Sequence, residues 1–173
     1  MNKILRILSA TTIGTLISAH SLGSEHSMEP SFGYATLADA DYGTSGTAML
    51  SYVYSHKGFT ASLGGFSIPD LEPKTNGTSV DARSKGYHLM FGKDFKSSAL
   101  DLNLRAGLAQ TETDIWLGNR QIGENESIGA ALSIELLKPL SKVVALRGGI
   151  LYLDDVASDS LYIYSVGVRI TFN

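Results

Sequence analysis

The chain has 173 residues, 43% of them hydrophobic and 18% charged, with a formal net charge of −3. That is enough for one domain and too apolar for a disordered chain. No basic block argues for nucleic acid as a partner. The absence of cysteine excludes disulfide frameworks, CxxC redox motifs and thiolate metal sites.

The N-terminus has the three-part layout of a secretory signal. Lys3 and Arg6 supply the positive end, and an apolar stretch follows from Ile7 to Ala19. Small residues then stand at a peptidase-like spacing, at Ser21-Leu22-Gly23 or Ala19-His20-Ser21. Residues 1–23 are therefore expected to be a cleaved signal peptide; the competing reading is a buried amphipathic helix. The segment is too short to cross a bilayer as a helix, which takes ~20 apolar residues. Cleavage after Gly23 leaves 173 − 23 = 150 residues and takes the net charge from −3 to −5. No later segment reads as a transmembrane helix, because the most apolar one, Ile128 to Leu137, is broken by Ser133 and Glu135.

The rest of the chain alternates with period two, the mark of strands with two unlike faces. Ser31 to Tyr42, Thr47 to Ser55, Phe59 to Ile68 and Gly86 to Phe95 parse as four strands. The second half is cleaner. Leu100, Leu102, Leu104, Ala106 and Leu108 share one face of a fifth strand, and Ile128, Ala130, Leu132, Ile134 and Leu136 one face of a sixth. A seventh starts at Val144 and turns apolar on both faces at Leu151 and Leu153; an eighth sets Tyr162, Tyr164, Val166, Val168, Ile170 and Phe172 against Ser165, Gly167, Arg169 and Thr171. The expected fold is all-β: an eight-stranded antiparallel up-and-down transmembrane barrel over residues 30–173. Ser55 to Gly58, Lys96 to Ser98 and Ser141-Lys142 read as tight turns on one rim. On the other rim, Pro69 to Lys85 and Thr111 to Glu126 read as long polar loops, Asp154 to Ser160 as an intermediate one, and Gly43 to Gly46 as a short one.

Alternation alone also fits a soluble barrel with its apolar face inward. Here the polar face is mostly Gly, Ala and Ser, which suits the cramped lumen of eight strands better than a solvent face. The other face is large and aliphatic. Phe32, Tyr152, Tyr162 and Phe172 near strand ends look like interfacial girdle residues. Leu102, Leu132, Ile134, Leu146 and Val166 should face lipid, with Asn103, Ser133 and Gly167 inward.

The signal-like start, the eight alternating segments and the ending Tyr164-Ser165-Val166-Gly167-Val168-Arg169-Ile170-Thr171-Phe172 resemble the small outer-membrane barrel superfamily. That group includes the OmpA transmembrane domain, OmpX and the opacity-type porin-like proteins. The resemblance covers the chain after the signal and rests on pattern. It implies the cell outer membrane as location and a barrel-assembly machinery that reads the strand Tyr164 to Phe172. In the family this strand usually ends on an aromatic residue, whereas here Asn173 follows Phe172.

Inward charges are the most informative single residues. Glu135, Arg147 and Arg169 fall at similar depth near the tight-turn rim on strands six, seven and eight, flanked by Asp101 and Arg105 on strand five. They are expected to form one structural lumen cluster, because an unpaired charge in a narrow lumen is costly. Glu135 should bridge toward Arg105 or Arg147. Three arginines against one glutamate is unbalanced, so Asp101, Asp39 or Asp41 is expected to complete the neutralisation. The same groups would line an ion path if the lumen were wet.

Enzyme chemistry finds no constellation. His20 and His26 lie in or beside the signal, His56 in a turn next to Ser55, and His88 on strand four, pointing inward without a Ser or Asp nearby in sequence. A nucleophile needs a base within hydrogen-bond reach. No metal-ligand spacing, cofactor motif or phosphate loop appears. Three functions remain: a monomeric structural or surface-interaction barrel in a lipid bilayer, a narrow ion or small-solute pore, and a soluble periplasmic ligand-binding barrel. The polar loops, with Trp116 among them, favour the first.

Overall fold

The computed structural model describes residues 24–38, 44–71, 80–156 and 159–172. These form eight strands: β1 Ser24–Leu37, β2 Thr44–His56, β3 Phe59–Leu71, β4 Val80–Phe95, β5 Asp101–Leu117, β6 Arg120–Pro139, β7 Val144–Val156 and β8 Asp159–Phe172. Each pairs antiparallel with its neighbours in sequence, and β1 pairs with β8 to close the barrel. Among the described residues there is no helix. The expected signal peptide lies outside them, as do Asp39, Asp41 and Asn173.

The register fixes the shape. Following paired residues around the wall from Tyr162 on β8, through β7 to β1, returns to β8 at Phe172, ten residues along. Eight strands with that stagger tilt about 40° to the barrel axis. The β2–β3 turn is a two-residue hairpin, with Lys57 at φ 51° and Gly58 at φ 83°, the positive-φ pair that twisted hairpins favour. It lies on the rim that also carries the β4–β5 and β6–β7 turns and both described ends of the chain.

The outward face is apolar. Leu132, Ile134 and Val166 are 50%, 56% and 69% exposed, and Leu146 is exposed beside them. Asn103 and Ser133 point inward and are buried, and Gly167 shares their face. Two aromatic rings bound this band. Phe59, Phe95, Tyr54 and Phe172 lie near the tight-turn rim. Tyr34 stacks on Tyr164 and Tyr152 packs on Tyr162 near the other rim, at ring-centroid distances of 5.0 and 5.2 Å. Converted through the register and tilt, the rings stand about 20 Å apart, close to the height of an outer-membrane apolar band. Phe32 sits between the rings rather than in one, at the level of Val166 with which it pairs.

Several expected boundaries move. β1 starts at Ser24 rather than Ser31 and ends at Leu37, so the barrel begins before residue 30. β3 runs on to Leu71, β4 starts at Val80 and β7 continues to Val156. The largest correction concerns Thr111 to Glu126. This segment is not a loop: β5 continues to Leu117 and β6 starts at Arg120, joined by Gly118-Asn119 with Gly118 at φ 59°. A glycine with positive φ at the first central position is what a type II′ hairpin turn requires.

Candidate functional site

Inward side chains fall into two regions. Toward the tight-turn rim they include a charged cluster, and toward the opposite rim they are mainly apolar, with Thr47, Ser84, Thr111 and Thr113 buried among them. In the charged half, Glu29 on β1 is the hub. Its Oε1 accepts from Arg169 Nε at 2.5 Å and Arg105 Nη2 at 3.2 Å, and its Oε2 accepts from Arg105 Nη1 at 3.2 Å. Arg147 Nε stands 3.5 Å from Glu29 Oε2. Glu135 is the second hub: Arg147 Nη2 donates at 2.6 Å, Arg105 Nη2 lies at 3.2 Å and Arg169 Nη2 at 3.8 Å. Ser133 Oγ donates to Glu135 at 3.0 Å, and Arg147 Nη1 donates to Ser165 Oγ at 3.2 Å. Asp94 adds a third carboxylate, 3.6 Å from Arg169 Nη1 and hydrogen-bonded by Asn103 Nδ2.

Three guanidiniums thus face three carboxylates, and none of the six side chains is more than 9% exposed. Buried charges hold only when paired and hydrogen-bonded, and this set balances. Glycine makes the room. Arg147 pairs across strands with Gly167, Glu135 with Gly149 and Arg105 with Gly92. A Cβ at Gly149 would lie 2.9 Å from Glu135 Cγ, and one at Gly92 would lie 2.8 Å from Arg105 Cγ.

Four of the five residues expected to cluster, Arg105, Glu135, Arg147 and Arg169, come together. Asp101 does not join them. Its carboxylate turns to the rim, where it accepts from Ser97 N at 2.9 Å and stands 3.6 Å from Lys96 Nζ. The neutralisation assigned to Asp101, Asp39 or Asp41 falls instead to Glu29 and Asp94. Both carried a signal. Glu29 shares parity with Ser27 and Ser31 but lay ahead of the expected first strand. Asp94 shares parity with His88 on β4, whose expected end at Phe95 agrees with the structure.

Above the charges the inward face is mainly apolar. Leu37, Met49, Phe66, Ile68, Leu71, Leu151, Leu153, Val156, Leu161 and Ile163 form one buried apolar cluster with several alanines. The expected small and polar residues are present in both halves, but in the upper half they share the space with these large apolar side chains. Between the two regions, His88 Nε2 stands 3.3 Å from Ser51 Oγ, a neighbour that chain order hid. Among the described residues, His88 Nδ1 has no hydrogen-bond partner, so no carboxylate orients the ring as a nucleophile's base requires.

The second feature is outside the barrel. β5 and β6 extend past the apolar band as a hairpin, with the start of β4 paired alongside from Val80. Its outward face is polar, carrying Arg83, Lys85, Glu112, Asp114, Glu124 and Glu126. Its tip is mixed, with Leu117 and Ile122 exposed beside Asn119, Arg120 and Gln121, and Arg83 stacked 5.0 Å over the Trp116 ring. Carboxylate oxygens of Glu112, Asp114 and Glu124 lie within 4.8 Å of one another. Lys85 pairs with the first at 2.6 Å, and Gln121 donates to the second at 2.8 Å.

No protein-family model and no curated relative matches the sequence. Solved structures do match in shape. The attachment invasion locus protein Ail of Yersinia pestis superposes with a TM-score of 0.64 at 12% identity, covering 87% of this chain and 100% of that one. Neisserial surface protein A gives 0.62 at 17% identity, covering 87% and 98%. The N-terminal barrel domain of Pseudomonas aeruginosa OprF gives 0.59 at 12% identity, covering 86% and 97%. With a closed eight-stranded wall, an apolar outer band and these neighbours, the chain has the fold of the small outer-membrane β-barrels.

Proposed function

We propose that this protein is a monomeric outer-membrane barrel that acts through its exposed surface, with a lumen plugged by charge and closed by an apolar layer. The observation that carries the reading is the contrast between the two ends of the wall. Inside, buried side chains run from the Glu29–Arg169 level to Val156, which favours a closed lumen over conduction or chemistry at the buried Ser51–His88 pair. Outside, a three-stranded sheet rises above the band with a charged face and exposed Leu117 and Ile122 at its tip, which nothing in the barrel itself requires. A soluble ligand-binding barrel would need its apolar face inward; here Leu132, Ile134 and Val166 point out. The neighbours fit this reading, since one is an attachment invasion locus protein and another a surface protein. Secretion through residues 1–23 and delivery through the strand Tyr164 to Phe172 belong to the same proposal.

The test pairs location with conduction. The protein should fractionate with outer membranes and change gel mobility on heating. In planar bilayers the purified chain should give no steady conductance. A stable ohmic step at low voltage would overturn the plugged lumen and leave the narrow pore as the better reading.

A further inference from the structure

The far edge of β6 is open. β7 pairs with β6 only from Ala131, opposite Leu153. Above that, β7 stays near as far as Ser127, whose hydroxyl donates to the Asp155 carbonyl. From Arg120 to Glu126, no strand among the described residues pairs with the side of β6 that faces away from β5. Seven residues in extended form present about 20 Å of backbone donors and acceptors. Such an edge is a template for an added strand.

The outward side chains say what that strand must carry. Two ladder rows cross the protruding sheet. One reads Lys85 on β4, Glu112 on β5, Glu126 on β6; the next reads Arg83, Asp114, Glu124. Each row holds one cation and two acids, and the second acid stands at the open edge. Like charges directly opposite one another are unfavourable, so each row lacks a cation in the fourth position. Polar neighbours only partly compensate: Gln110 donates to Glu126 at 2.6 Å and Gln121 to Asp114 at 2.8 Å. On the opposite face Gly123 carries no side chain and the Ile115 side chain stands beside it, 3.6 Å from where a Cβ would be, so the neighbouring surface there is apolar.

We propose that β6 residues 120–126 dock an extended segment of another polypeptide, with basic residues two apart opposite Glu124 and Glu126 and an apolar residue over Gly123. This rests on the surface-interaction reading and adds the chemistry of the partner. A second copy of this chain fits badly, because antiparallel pairing of two β6 edges sets Glu124 and Glu126 against their own kind.

The probe is a fluorescent nine-residue peptide alternating Lys with Val and Thr, added to the full chain in nanodiscs and read by anisotropy. Binding is expected, and Glu124→Gln with Glu126→Gln should weaken it roughly tenfold, the scale of two exposed ion pairs. A peptide with Glu in place of Lys should not bind. N-methylating alternate amides of the Lys peptide on its bonding edge should abolish binding while its charge is unchanged. Equal binding of the methylated peptide would overturn strand addition in favour of loose charge attraction. Binding that requires calcium would make the acids a cation site and would also overturn it. Cell attachment by bacteria carrying a hairpin shortened between residues 112 and 125 separates the two claims. If attachment falls while the peptide never binds, the surface role stands and the edge proposal fails.

Discussion

Removing Glu135 tests the charge balance of the lumen directly. Glu135→Leu leaves Arg105, Arg147 and Arg169 facing only Glu29 and Asp94, one buried positive charge in excess. The lost carboxylate touches Arg147 at 2.6 Å and Arg105 at 3.2 Å, both side chains at most 3% exposed. Stranding a buried ion typically costs about 3–5 kcal/mol. Arg147→Met leaves the opposite excess and should cost a similar amount. The double variant restores two cations against two acids and fills the space with apolar groups of similar volume, so it should cost far less than the two singles together. The coupling should reach about 3 kcal/mol. Urea unfolding in lipid vesicles, followed by the mobility difference on unheated gels, measures all four proteins. Singles within about 0.5 kcal/mol of wild type, the scale of an ordinary surface change, would show the cluster to be solvated. A double variant equal to the sum of its singles would show that the pair is not coupled.

Two further outcomes follow from the outer face. Ile134→Arg places a cation on the lipid side near the middle of the apolar band, at a cost of roughly 2–4 kcal/mol; its folded fraction in vesicles should drop, and normal insertion would reverse the assigned faces. Trp116, the single tryptophan, sits on the hairpin above the band, so a water-soluble quencher should dim its fluorescence while brominated lipid tails should not. Quenching by the lipids would put the hairpin in the membrane.

The fold was legible wherever the two faces of a strand differ. Leu132 and Ile134 against Ser133 and Glu135, or Val166 and Ile170 against Ser165 and Arg169, reveal both strand and orientation. Legibility fails where that contrast disappears. Above the membrane the outer face becomes polar, so Thr111 and Thr113 inside alternate with Glu112 and Asp114 outside, and a strand reads as a loop. In the upper lumen the inner face of β7 and β8 becomes apolar, so Ile150 to Leu153 and Leu161 to Tyr164 read as continuous runs and the two faces cannot be told apart. The charged cluster was legible on β5 to β8, where depth can be counted from a turn. Its β1 member was lost with the start of that strand. Asp94 was available by parity, but its partner Arg169 sits half the chain away.

Seven of the eight strand pairings join neighbours in sequence, and each can form over a short hairpin. The eighth joins residue 26 to residue 172 and closes nearly the whole chain. By loop length alone that last pairing costs about 1.7 kcal/mol more entropy than a twenty-residue closure, and topology of this kind slows folding. The charges give the late step a reward. Until β1 arrives, three arginines have only Glu135 and Asp94 to face, and Glu29 supplies the missing carboxylate through its bonds to Arg105 and Arg169. Strand docking and charge neutralisation are then one event. A barrel that stalls one strand short carries its own penalty, and a sheet closed in the wrong register would leave Glu29 away from its three partners.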